Sequence, residues 1–202
     1  MHGIAIIWTD FKPVKGIERG LLQINNRPTI EYVLEALPDE IGEVFLSVKG
    51  EAEARLYNEI AERYFARLHV GRGLPMTEEV ARLVGDEEID SFIILPCDAP
   101  LLNKGFTSFL LEGTKKFSAI IPRSSDENCY YLFSSYRSRE FVRACNSADR
   151  KQFDSVVNQM NNVLYVKLSA LRVFDEKLNI FMRVNDFSDT KRIESIMRQS
   201  KS

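Results

Sequence analysis

A chain of 202 residues, 45% of them hydrophobic, is long enough to bury one α/β core, or at most two small ones, and one domain over 1–202 is expected. The formal charge of -2, from 27 basic and 29 acidic residues, provides no general field for nucleic acid or an anionic membrane surface, so any anionic ligand must be met by local basic residues. Three cysteines, Cys97, Cys129 and Cys145, form no C-x-x-C pair and imply no disulfide framework, which suits a reducing cytoplasm.

The first apolar run, "GIAIIW" (3–8), is too short for a signal peptide or a membrane span and reads as a strand. It leads into "TDFKPVKGIERG" (9–20), a loop with Lys12, Lys15, Arg19 and two glycines. Such a loop after the first strand of an α/β sheet is where phosphate is usually cradled, although a solvated basic loop would look the same. Neither a G-x-G-x-x-G nor a G-x-x-x-x-G-K-[ST] pattern is present. Further on, "TIEYVLEAL" (29–37), 51–65, 76–84 and 104–117 carry apolar residues at helical spacing, alternating with strand-like runs at 43–48, 67–70, 91–96 and 118–122. This alternation predicts a mostly parallel sheet with helices on both faces, a three-layer Rossmann-like α/β fold. Beyond Pro122 the order continues as strand 130–136, helices near 138–146 and 152–160, strand 162–168 and a closing helix at 189–199.

The strand 91–96 ends in "CDAPLL", which places Asp98 where open α/β sheets bind ligands, at the carboxyl end of a central strand; ordinary turn chemistry before Pro100 explains it equally well. Cys97 reads as a small packed residue, since no base adjoins it. His2 and His69 show no zinc spacing, so a metal site would be built from oxygen ligands.

Three spaced motifs then come into register. "GIAIIWTDFKPVKGIERGLLQINNRPTIEYVLEAL", "LPCDAPLL" and "FMRVNDFSD" (181–189) resemble, in order, the N-terminal signature, the P-C-D-x-P motif and the late F-x-N-V-N-T-P-E motif of the molybdenum cofactor guanylyltransferases. The resemblance implies a fold of the nucleotide-diphospho-sugar transferase type and Mg²⁺-dependent transfer of a guanylyl group from GTP to a phosphorylated acceptor such as molybdopterin, releasing pyrophosphate. A cobinamide phosphate or a sugar or polyol phosphate is the alternative acceptor. It assigns the nucleotide to Trp8, Thr9, Asp10, Phe11, Lys15, Gly16 and Arg19, with catalysis falling to Asp98, Lys15 and Arg19. Asp98, Asn185 and Asp186 become the metal ligands, with Asn185 and Arg183 toward the acceptor; an Asx turn before the last helix is the competing account of Asp186.

Departures from the pattern are concentrated at the same places. Where the family has L-A-G-G this chain has Trp8-Thr9-Asp10-Phe11, and Arg183 replaces the first Asn of the late motif. Losing both glycines predicts poor affinity for GTP, and a catalytically impaired nucleotide-binding homologue is the alternative from another class. Asp98→Asn is expected to leave stability almost unchanged, as for a carboxylate chosen for charge rather than packing.

Overall fold

The apolar run Gly3–Trp8 is buried at every position, as expected of a parallel strand covered on both sides. In the computed structural model, which describes residues 3–86 and 89–199, it forms β1 of a seven-stranded sheet; His2 lies outside the described residues. The other sheet strands are β4 (Glu43–Val48), β5 (Arg67–Val70), β6 (Ser91–Pro96), β7 (Ala119–Arg123), β8 (Ser134–Arg137) and β9 (Val163–Lys167), in the order β5-β4-β1-β6-β8-β7-β9. All neighbouring pairs are parallel except those made by β8, which runs antiparallel to β6 and β7.

Because strand side chains alternate, the sheet feeds two cores. Ala5, Ile7, Leu46, Ile93 and Leu95 pack with α1 (Thr29–Glu35), α2 (Glu51–Arg63) and α4 (Lys104–Gly113) on one face. Ile4, Ile6, Trp8, Phe92 and Ile94 pack with α3 (Met76–Asp86), α5 (Ser138–Ser147) and α6 (Phe153–Val157) on the other. The result is the three-layer α/β fold expected from the alternation.

Differences from the sequence expectation are local and have identifiable causes. The helix expected over 104–117 starts with Asn103, whose side chain accepts from the Phe106 N–H at 3.0 Å, but stops at Gly113. A Cβ at Gly113 would lie 1.7 Å from Ile120 Cδ1, so glycine permits the close approach to β7 there. The strand expected over 130–136 divides into a 3₁₀ turn at Tyr131–Phe133 and β8.

A small ribbon was not anticipated. β2 (Gln23–Ile24) and β3 (Arg27–Pro28) pair across Asn25 and Asn26, both at positive φ (48° and 62°), as a two-residue hairpin turn of the mirror-image type requires. The closing helix α7 (Phe187–Gln199) packs on it: Leu22, Ile24, Val184 and Ile193 form a third apolar cluster. This cluster ties the segment before α7 to the loop after β1, and so brings Val14 and Val184 together at one rim of the sheet.

Candidate active site

Strand order reverses direction at β1: the chain moves outward to β4 and β5, then returns to place β6 on the other side. The crevice above the carboxyl ends of β1 and β6 is therefore the topological switch point at which open α/β sheets bind ligands. Residues 9–20 emerge there from β1 and Asp98 emerges from β6.

Asp98 is fully buried, and its backbone carbonyl accepts from the Val184 N–H at 2.8 Å, which draws the late segment onto the strand end. Arg183 forks onto the carboxylate, Nε to Oδ1 at 2.7 Å and Nη2 to Oδ2 at 2.9 Å. Arg19 adds a third bond, Nη1 to Oδ2 at 3.2 Å, while the same nitrogen donates to Asn185 Oδ1 at 2.9 Å and its Nε to the Lys12 carbonyl at 3.0 Å. The ring of Phe11 lies against both guanidinium groups, with centroid distances of 4.1 Å to Arg183 and 5.8 Å to Arg19. Asp98, Arg19, Arg183, Asn185 and Phe11 thus meet in one place, although they are drawn from three separate stretches of sequence.

The burial of Asp98 alters one expectation. A carboxylate with no exposure that anchors two guanidinium groups contributes to stability through charge-assisted bonds, so Asp98→Asn cannot leave stability unchanged.

The remaining expected site residues are arranged around this centre. Trp8 and Thr9 point into the fold rather than toward a ligand: the Trp8 indole N–H donates to the Asp10 carbonyl at 3.3 Å and Thr9 Oγ1 to the Ser47 carbonyl at 2.8 Å. Lys15 (φ 49°) and Gly16 (φ 81°) form a tight turn closed by reciprocal N–H to carbonyl bonds between Val14 and Ile17, at 2.9 and 3.0 Å. Lys15 is exposed and its Nζ sits 5.4 Å from the Phe187 ring, at the start of α7. Asp186 is committed to the same helix. Its Oδ1 accepts from the Ser188 N–H, the Ser188 hydroxyl and the Asp189 N–H, while Asp189 accepts in return from the Asn185 and Asp186 N–H groups, a reciprocal cap. The Ser188 hydroxyl, then the two backbone N–H groups, hold the Asp186 carboxyl below its usual range.

Whether these residues suit a bound Mg²⁺ is decided by the donor set. Mg²⁺ takes one or two free carboxylates and keeps several waters. Both Asp98 oxygens are engaged by arginines, Asn185 Oδ1 is taken by Arg19 and Asp186 caps α7. Among the described residues no group of three or more His, Cys, Asp or Glu could hold a metal ion. The residues present do not fit a protein-held cation. Cys97 does not fit a nucleophile either, because burial and then the neighbouring Asp98 push its thiol well above the usual range.

Beside the crevice lies a pocket of about 390 Å³ bordered by Asp10, Lys12, Glu18, Lys49 and Glu53. Glu18, which with Arg19 stands where the resembled motif has Asp-Lys, meets Glu53 here, a pairing that nothing in their spacing announces. Burial, then Glu53, then Asp10, push the Glu18 carboxyl up, while Lys49 pulls it down. A carboxyl raised in the folded state stabilises the fold fully below its ordinary value of 4.5 and loses that contribution as pH rises through the raised value. Glu18→Gln should therefore gain on the wild type between pH 4 and pH 7. Denaturant midpoints at the two pH values check this, and a variant-minus-wild-type stability difference that stays constant or falls from pH 4 to pH 7 would contradict it.

A second opening, of about 620 Å³, lies at the carboxyl ends of the parallel strands β7 and β9, lined by Arg123, Lys167 and Arg172. The Arg123 guanidinium is stacked 4.8 Å from the Tyr165 ring centroid. This opening faces the same rim of the sheet as Asp98.

A switch-point crevice carrying two arginines and a carboxylate, on a mostly parallel sheet of this order, is the arrangement of a three-layer α/β protein with its ligand site at the carboxyl ends of the strands. A family model for the MobA-like NTP transferase domain matches residues 14–163. The chain belongs to that family. Relatives include a "Probable molybdenum cofactor guanylyltransferase" of Methanosarcina mazei, 25% identical over 182 residues that cover 86% of this chain and 80% of that protein. A molybdenum cofactor guanylyltransferase of Shewanella sp. strain MR-4 is 23% identical, covering 92% and 90%. The crystal structure of molybdopterin-guanine dinucleotide biosynthesis protein A from Archaeoglobus fulgidus superimposes with a TM-score of 0.75 at 21% identity, covering 98% of this chain and 99% of that one, which supports the fold. Among the described residues no helix is long and apolar enough to cross a membrane.

Proposed function

We propose that this protein transfers the guanylyl group of GTP to a phosphorylated small-molecule acceptor, molybdopterin being the first candidate because the relatives carry that activity in their names. The observation that carries the reading is the meeting of Arg19, Arg183 and Asp98 at the switch point. An acceptor phosphate oxygen attacks the α-phosphorus, a new P–O bond forms, and the bond to the β-phosphate breaks with its electron pair leaving on pyrophosphate. The nucleophile is already an anion, so the protein's task is to position the groups and offset charge.

In this reading Arg19 and Lys15 meet the β and γ phosphates, and the free end of Arg183 meets the α-phosphate or the acceptor. Asn185, through its bond to Arg19, sets where that guanidinium points. The basic opening at Arg123, Lys167 and Arg172 takes the acceptor's phosphorylated part. Mg²⁺ enters only as the counter-ion of the triphosphate, with no protein ligand assigned to it. A cytoplasmic location belongs to the same reading, in keeping with three free cysteines.

Pyrophosphate release from GTP, measured across a panel of phosphorylated acceptors, tests the proposal. GTP binding without turnover on any acceptor would instead favour a binding homologue. That second reading has its own support: the N–H groups of Thr9, Phe11, Val14 and Ile17 donate to protein carbonyls instead of facing a phosphate. Lys15→Ala should weaken GTP binding about three- to tenfold, close to 1 kcal/mol as for an exposed cation, and leave GMP binding almost unchanged. Calorimetry with the two nucleotides checks this, and equal losses would return the loop to simple solvation.

A further inference from the structure

We propose that the Arg183 guanidinium is the resident cation of this site and closes Asp98 to divalent metal. The proposal rests on reading the crevice at Asp98 as the nucleotide site. Arg183 meets Asp98 with two parallel bonds of 2.7 and 2.9 Å, the fork geometry that suits guanidinium and that lysine could not reproduce. Phe11 covers the group at 4.1 Å, holding it in place. Asp98 has no solvent-exposed surface on which a hydrated ion could settle without displacing an arginine.

The two residues that make this arrangement are the chain's own departures from the motifs it resembles. Phe11 occupies a place where the pattern has glycine, and Arg183 one where it has asparagine. Far apart in sequence, they touch in the fold. A side chain at position 11 that obstructs a glycine-rich cradle and an arginine that would repel a metal are each unfavourable for the ordinary site. Together they supply a fixed positive charge beside the carboxylate. Arg183 Nη1 has no hydrogen-bond partner among the described residues, and the side chain is partly open, so it can donate to a phosphate oxygen while Nε and Nη2 remain on Asp98.

Mn²⁺, which takes the same oxygen ligands as Mg²⁺ and has an electron paramagnetic resonance signal, provides the test when titrated into nucleotide-free protein. Wild type and Asp98→Asn should bind Mn²⁺ alike, whereas Arg183→Asn should gain a site at least tenfold tighter, lost again in the Arg183→Asn, Asp98→Asn double variant. Circular dichroism confirms folding, and Arg183→Gln serves as the second opening variant if the asparagine form does not fold. Binding to wild type that Asp98→Asn removes would overturn the proposal, as would folded Arg183 variants that gain no site. GTP titrated in the presence of EDTA tests the nucleotide-site reading on its own: no binding there or with Mg²⁺ sinks that reading, and the Mn²⁺ result stands apart from it.

Discussion

Replacing Asp98 by asparagine should lower stability by about 3 kcal/mol and reduce transfer activity by at least two orders of magnitude. The stability loss follows from leaving two guanidinium groups side by side without their shared counter-charge. Breaking a buried pair typically costs about 3–5 kcal/mol, and the lower end applies because Arg19 and Arg183 remain 18% and 26% exposed and can turn toward water. For a chain of this length that corresponds to a fall of roughly 6–12 °C in Tm. The activity loss follows because the carboxylate sets the direction of both arginines, and a misdirected charge cluster forfeits most of its electrostatic effect. Thermal melts followed by pyrophosphate assay separate the two effects. An unchanged Tm would mean that the pairing at Asp98 is not formed in solution, and turnover above about a tenth of wild type would remove Asp98 from the transfer machinery.

Arg19→Ala is expected to weaken GTP binding by about 10- to 100-fold, equivalent to roughly 1.4–2.7 kcal/mol, with a distinctly smaller loss for GMP. The expected effect exceeds that of Lys15→Ala because Arg19 acts at several points. Its Nη1 joins Asp98 to Asn185, and its Nε holds the Lys12 carbonyl, so the loop after β1, the end of β6 and the segment before α7 are linked through one side chain. Its removal takes away a phosphate partner and loosens the loop that carries Lys15. Stability should fall by only about 1 kcal/mol, since Asp98 keeps the fork of Arg183. Calorimetric titration of the variant with GTP and GMP decides the matter. Equal loss for both nucleotides would place Arg19 outside the triphosphate site.

Much of the fold was readable from one chain because its signals are local. β1 is a continuous apolar run, the helices repeat at 3.6 residues, and Asn103 and Asp186 sit where helix caps belong. Spaced motifs carried the family likeness and singled out Asp98, Arg19 and Asn185 as belonging to one site. The ribbon at Asn25-Asn26 carried a turn signal too, two consecutive residues tolerant of positive φ, which stood inside a motif read for its resemblance alone.

Pairings across long sequence separations were not readable. Read singly, Phe11 and Arg183 are two blemishes in a motif, and only the packing of α7 on the ribbon, with Val184 bonded to Asp98, brings them face to face. Glu18 and Glu53 likewise become an electrostatic pair only when α2 folds over the loop. Sequence by itself determined the layered α/β fold, the family and the place of Asp98 just past a central strand, because periodicity and motif order survive without knowing what touches what. The tertiary structure alone decided that Asp98 is buried beneath two arginines rather than open to a metal, because Coulomb energy depends on distance and burial, and neither is written along the chain.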